Sequence, residues 1–161
     1  MSLQASYQSM YQWINSTAVS RYLQDSTLWF PITEVFHLIG LTILLGAVFV
    51  VCLRMFGFGL QQPASKTYGG LWAWTWVGLA LVLGTGLILL VTEPIKLSTN
   101  TAFTYKLWFL GAGMALHTFG YVKFLKPGRI EASPVLARVI SILTLCCWFG
   151  AGITGRAIGF V

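Results

Sequence analysis

The sequence contains few charged residues, and this scarcity narrows the class of protein. Charged side chains make up 9% of the 161 residues, with ten Lys/Arg and four Asp/Glu, whereas 57% of the residues are hydrophobic. Soluble domains average about 25% charged residues, so a water-soluble globular domain is not expected. Disorder is excluded, because disordered chains are poor in apolar and aromatic residues.

Other absences exclude several kinds of site. Cys52, Cys146 and Cys147 form no C-x-x-C pair and lie in apolar surroundings, so neither a disulfide framework nor a zinc site is expected. No G-x-x-x-x-G-K-[ST] or G-x-S-x-G pattern occurs, which excludes a P-loop and a nucleophile elbow. The basic residues occur singly, so the net charge of +6 does not indicate nucleic-acid binding.

Long hydrophobic runs dominate the sequence. A spanning helix needs about 20 mostly apolar residues, and four stretches qualify, at about 28–53, 70–92, 103–125 and 134–158. The runs are too continuous for the alternating strands of a membrane barrel. Short linkers force antiparallel neighbours. We therefore predict an all-α, up-down-up-down bundle of four transmembrane helices, forming one integral membrane domain over residues 1–161.

The first 27 residues have a different pattern. Apolar residues recur there at steps of three and four, with Gln and Ser opposite, which is typical of an amphipathic helix. A signal peptide is not expected, because no basic segment precedes a compact apolar one. We expect residues 1–27 to lie on the membrane surface as one or two interfacial helices.

The basic residues predict the orientation. Six lie on one side of the predicted membrane: Arg54, Lys66, Lys123, Lys126, Arg129 and Arg138. Four lie on the other: Arg21, Lys96, Lys106 and Arg156. Cytoplasmic loops carry the excess of positive charge. Both termini of this multi-pass protein are thus expected on the outer side, which is the periplasm if the membrane is a bacterial inner membrane. A homo-oligomer and a place within a larger complex are both open.

Both histidines lie inside predicted spans, where an ionisable residue indicates a functional site. His37 and His117 are each followed three residues later by a glycine, Gly40 and Gly120, on the same helix face. Gly113 lies one turn before His117. Such glycines leave room for a flat group, and two neutral imidazoles suit the axial positions of haem iron. The pattern predicts b-type haem with His37 and His117 as ligands.

Two estimates of depth disagree about whether one haem joins these histidines. His37 is eight residues after Trp29, and His117 is nine residues after Trp108. By this count the depths of the two histidines differ by one helical rise, about 1.5 Å. Counted from Arg54 and Lys126, the difference is about 12 Å. The first estimate allows one haem per chain. The second favours a haem held by two copies of His37 across a dimer axis.

Charged residues near His37 extend the predicted site. Glu34 lies one turn before His37. Arg156 is expected at similar depth, so we predict a Glu34–Arg156 pair. Glu34 would balance the charge of Arg156 or fix the tautomer of His37. Arg156 and Lys106 are the candidates for binding haem propionates.

Two alternatives to haem remain open, copper and structural histidines, and a di-iron site is excluded. Copper is possible chemically, because His, Met and Cys are suitable ligands, but Met114 and His117 form the only close His–Met pair. A di-iron site needs more carboxylates than this chain has. Purely structural histidines would indicate a cofactor-free membrane scaffold or accessory subunit.

Several short patterns along the chain carry a resemblance. They are P-x-x-E-x-x-H-x-x-G (Pro31, Glu34, His37, Gly40), L-R-x-x-G (Leu53, Arg54, Gly57), W-x-W-x-G (Trp74, Trp76, Gly78), T-G (Thr85, Gly86), K-L (Lys106, Leu107) and G-R (Gly155, Arg156). Over nearly its whole length the chain resembles a family of small bacterial four-helix integral membrane proteins that is known only as an uncharacterised domain.

More loosely, the chain is similar to small membrane cytochromes b and to copper-resistance D-type membrane proteins. The likeness to the cytochromes implies electron transfer between quinone and a periplasmic redox protein, or a role as the membrane subunit of a redox complex. Those cytochromes usually have four haem-ligating histidines, whereas this chain has two.

Overall fold

The computed structural model describes residues 3–58, 63–120 and 133–160, and nearly all of them are helical. The described residues form seven helices: α1 (Leu3–Ser16), α2 (Ala18–Asp25), α3 (Trp29–Met55), α4 (Ala64–Thr92), α5 (Pro94–Thr99), α6 (Thr101–Gly120) and α7 (Pro134–Ala157). The prediction of an all-α protein is confirmed. Helix α5 was not predicted, since residues 94–99 lie between the predicted spans 70–92 and 103–125.

Three of the helices, α3, α4 and α7, are long and apolar enough to cross a membrane. This agrees with a membrane protein and with three of the four predicted spans. The helix α4 begins six residues before the predicted span, directly after Pro63. The helix α6 is described as far as Gly120, so the end of the predicted span 103–125 lies outside the described residues. The fourth span therefore stays a prediction.

The orientation in the membrane also stays a prediction. Three of the basic residues on which it depends, Lys123, Lys126 and Arg129, lie outside the described residues. The interfacial position of residues 1–27 is likewise untested, although α1 and α2 are helical as expected.

The helices α3 and α4 pack closely where two glycines meet. A Cβ atom at Gly78 would lie 2.7 Å from the backbone nitrogen of Leu44, and one at Gly40 would lie 2.7 Å from the Cβ of Leu81. Both distances are too short for a real side chain, so the glycines let the two backbones approach. Gly40, predicted to leave room for haem beside His37, is instead a helix-packing residue.

Neighbouring long helices run antiparallel. The closely packed pairs are α3 with α4, α3 with α7, and α6 with α7, whereas α4 and α6 are not among them. The first half of one helix contacts the second half of its neighbour. His37 of α3 lies beside Thr85 of α4, and Leu41 of α3 lies beside Gly152 of α7. The N-termini of α3 and α6 therefore meet the C-termini of α4 and α7 at one end of the molecule.

The short helices α1, α2 and α5 cover this end, which we call the capped end. Tyr11 of α1 is buried against Leu97 and Phe103, and burial raises the pKa of its phenol. Ser20 of α2 is fully buried, and its hydroxyl donates to the carbonyl of Val91 at 2.8 Å. The N-terminal segment is thus packed against the ends of the long helices.

An apolar layer fills the middle of the long helices. It consists of Leu44, Val48, Leu79, Val82 and Trp148, all of them buried. This apolar layer separates the polar groups of the capped end from those of the opposite end.

We expect Gly78→Ala to destabilise the protein, because its Cβ would meet backbone atoms of Leu44 that cannot move cheaply. The loss should be about 1–3 kcal/mol of unfolding free energy. Gly84→Ala on the same helix is the matched control. A Cβ there meets nothing within 4 Å, and alanine favours helix by about 1 kcal/mol over glycine. Unfolding in detergent measures the stability of both variants. Equal stability of Gly78→Ala and Gly84→Ala would contradict the close packing of α3 against α4.

Candidate functional site

A cavity of about 200 Å³ lies between α3, α4, α6 and α7 at the capped end. Its walls are mainly apolar and include Phe30, Leu38, Leu41, Val82, Leu89, Leu110 and Trp148. Six polar side chains also line it: Glu34, His37, Glu93, Lys96, Lys106 and Arg156. Ionisable groups are costly among apolar helices and mark functional sites by default, so we take this capped-end cavity as the candidate site.

The charges around the cavity are arranged differently from the prediction. Glu93 and Lys96 form an ion pair at 3.3 Å. The guanidinium of Arg156 lies 5.3 Å from the centre of the Phe160 ring, a cation–π distance. No ion pair joins Glu34 to Arg156 in the described part of the chain. The predicted Glu34–Arg156 pair is therefore wrong, although both side chains line the same cavity.

Both ring nitrogens of His37 have partners. Nδ1 lies 2.8 Å from Oγ1 of Thr85, and Nε2 lies 3.4 Å from Nζ of Lys106. The Thr85 hydroxyl donates its proton to the carbonyl of Leu81 at 2.5 Å, so its oxygen accepts from the imidazole. In neutral His37 the proton is consequently on Nδ1, and the lone pair of Nε2 faces the ammonium group. Thr85 and Lys106, and not Glu34, fix the tautomer.

Two glycines lie against this pair, one on α4 and one on α7. A Cβ atom at Gly86 would lie 3.5 Å from Cε1 of His37, in ordinary van der Waals contact. A Cβ atom at Gly155 would lie 3.2 Å from Nζ of Lys106, because the lysine side chain lies across that glycine. The sequence showed T-G and G-R patterns at these positions, but nothing in it indicated which side chains they would face.

His117 lies in different surroundings. Its ring stacks on Trp72 with centroids 5.4 Å apart and an angle of 13°, and Nε2 lies 3.3 Å from the hydroxyl of Tyr68. Trp72 and Thr85, the neighbours of the two histidines on α4, are thirteen residues apart. At 1.5 Å per residue this separation is about 20 Å. The structure does not bring His37 and His117 together.

One haem bound by both histidines of a chain is therefore inconsistent with the structure, because axial ligands must approach one iron from opposite faces. The depth estimate from the tryptophans was wrong, since Trp29 and Trp108 do not mark equivalent depths for the two histidines. His37 is 9% exposed and faces α4 and α6. Haem ligation by two copies of His37 across a dimer axis stays a prediction.

The remaining predicted haem residues have other surroundings or are not described. A Cβ atom at Gly113 would lie 3.2 Å from the ring of Trp148, so this glycine serves helix packing. The surroundings of Gly120 lie outside the described residues. In the residues that the structure describes, no group of three or more His, Cys, Asp or Glu is placed to hold a metal ion.

The chain belongs to the DUF6644 family. The model of this family, which is described as a family of unknown function, matches residues 9–161. Membership confirms the resemblance to an uncharacterised family and assigns no activity. No curated protein and no solved structure matches the chain.

The assigned tautomer of His37 is testable, because the chain has two histidines and its imidazole spectrum is simple. Nitrogen-15 NMR of histidine-labelled protein should show His37 protonated on Nδ1. Thr85→Ser keeps the accepting oxygen and should leave the tautomer unchanged. Thr85→Val removes that oxygen, so the Nδ1 resonance should shift, while the proton stays on Nδ1 because the Lys106 ammonium still faces Nε2. An Nε2-protonated His37 in the unaltered protein would contradict the assignment.

Proposed function

We propose that this protein is a membrane redox subunit that binds the headgroup of a quinone in the capped-end cavity. The observation that carries the proposal is the contact between Lys106 and His37 at 3.4 Å inside a cavity with mainly apolar walls. The cavity lies between helices of membrane-spanning length, where a lipid-soluble ligand is available.

The donor and acceptor inventory of the pair suits a quinone in both redox forms. The Lys106 ammonium has three protons, and its contact with His37 uses one of them. A second proton is available for a quinone carbonyl oxygen. The Nε2 lone pair of His37 can instead accept a proton from the hydroxyl of a hydroquinone. The indole N–H of Trp148, which lines the cavity, is buried and has no partner among the described residues.

The size and charge of the cavity favour a neutral ring over other ligands. Its volume of about 200 Å³ is below the roughly 300–1,000 Å³ of sites for drug-sized molecules, so it suits one ring better than a porphyrin. Glu34 and Glu93 line the cavity together with its cations. The cations are Lys96, Lys106 and Arg156, so the charges nearly cancel. Glu34 and Glu93 would repel a phosphate or carboxylate headgroup, whereas they do not repel a neutral carbonyl group.

The helix arrangement also provides a place for an isoprenoid tail. The helices α4 and α6 border the cavity but are not a closely packed pair. A tail can leave between them toward lipid, while the cap covers the end of the long helices. Electrons would pass to a redox group in another subunit, since the two histidines of this chain are not placed to hold one haem.

The cofactor-free scaffold is the second candidate, and His117 favours it. Its stacking on Trp72 and its contact with Tyr68 are those of a packing residue that joins α6 to α4. A scaffold role does not account for Lys106, which lies beside an apolar cavity without an ion pair in the described part of the chain.

Calorimetric titration of the purified protein with a short-chain quinone such as decylubiquinone tests the proposal. We expect saturable binding that weakens about tenfold to a hundredfold in Lys106→Met, because a hydrogen bond to a charged group contributes roughly 1.5–3 kcal/mol. Lys66→Met is the matched control. Lys66 is exposed at the opposite end of α4 and is not among the cavity residues, so this variant should bind as the unaltered protein does.

Two results would contradict the proposal. Absence of saturable binding to the unaltered protein would favour the scaffold. Equal affinity in Lys106→Met would place the quinone elsewhere. A dithionite-reduced spectrum of the same preparation tests the haem prediction. Sharp bands of low-spin b haem would require ligands other than His37 and His117 of one chain.

A further inference from the structure

A second, much smaller pocket lies beyond the apolar layer, toward the end of the molecule opposite the cap. Its volume is about 20 Å³. Five of its lining residues have polar side chains: Tyr68, Thr75, His117, Ser141 and Thr144. None of these residues lines the capped-end cavity, so what this pocket binds is independent of the proposed function.

The hydroxyl of Ser141 is the unusual group in this pocket. Ser141 is 5% exposed, and its Oγ is buried without a hydrogen-bond partner among the described residues. Hydroxyls within helices ordinarily donate to the carbonyl four residues earlier. Thr75 does so to Leu71 at 3.0 Å, and Thr144 does so to Ile140 at 2.8 Å. Ser141 does not, so its proton is available to a bound molecule.

The pocket has the size and the partners that one water molecule requires. A buried water needs roughly 10–15 Å³ of such space and two to four polar partners. The hydroxyl of Ser141 supplies a donor. The hydroxyls of Thr75 and Thr144 donate to carbonyls of their own helices, and their oxygens keep lone pairs that can accept. A metal cation is disfavoured, because none of the described residues that line the pocket carries a carboxylate to balance its charge.

We propose that this pocket binds one water molecule that connects α4 to α7. The water accepts a hydrogen bond from Ser141 and donates to the hydroxyl oxygens of Thr75 and Thr144. The helices α4 and α7 are not a closely packed pair, so the water takes the place of a direct bond between them. It also satisfies the buried hydroxyl of Ser141, which would otherwise destabilise the fold.

Replacement of Ser141 by alanine tests the proposal through the sign of its effect. If water is bound, Ser141→Ala removes the donor to that water, and the melting temperature should fall by about 2–4 °C. If the pocket is dry, the same change removes an unpaired buried hydroxyl and gains helix propensity, so the melting temperature should rise. A melting temperature equal to or above that of the unaltered protein would overturn the proposal.

Thr67→Val is the matched control. Oγ1 of Thr67 is also buried without a partner among the described residues, but Thr67 lines neither of the two pockets. The isosteric change should therefore leave the melting temperature unchanged or raise it. An experimental structure at a resolution that shows ordered water provides the direct measurement. Density within hydrogen-bonding distance of the Ser141 hydroxyl supports the site, and an empty pocket contradicts it.

Discussion

The close approach of α3 and α4 at Gly40 and Gly78 determines where the polar groups of the candidate site lie. Because a Cβ at either position would collide with the facing helix, the two helices have one antiparallel register. In that register His37 lies opposite Thr85 and Gly86. Thr85 then accepts a hydrogen bond from the imidazole, and the remaining nitrogen faces Lys106.

Close packing on one side leaves space on another. The helices α3 and α4 pack tightly, as do α6 and α7, whereas α4 and α6 do not. Beyond the apolar layer, the rings of Trp72, Tyr68 and His117 fill the distance between α4 and α6. At the capped end, Gly86 and Gly155 face the site, and a cavity results. The different roles of the two histidines follow from this arrangement.

The sequence was sufficient to predict an all-α fold, the three apolar helices of membrane-spanning length and several residues of the site. Glu34, His37, Lys106 and Arg156 were all selected from the sequence, and all four line one cavity. Their selection succeeded because an ionisable residue within a long apolar run stands out by composition alone.

The partners of these residues could not be predicted from the sequence. The register between two helices depends on which side chains interlock, and counting from tryptophans or basic residues does not capture it. Gly40 and Gly113 were therefore assigned to a cofactor, although they pack against α4 and against Trp148. Thr85 and Gly86 were noticed as a pattern, but their place beside His37 depends on the fold.

Labelling with a photoreactive short-chain quinone is the most direct measurement of the central claim, that the capped-end cavity binds a quinone headgroup. After illumination, mass spectrometry locates the modified residues along the chain. The account predicts adducts on cavity residues of α4 and α6, such as Leu89 and Leu110, that excess unlabelled quinone suppresses. Adducts confined to lipid-facing residues, or insensitive to competition, would contradict it.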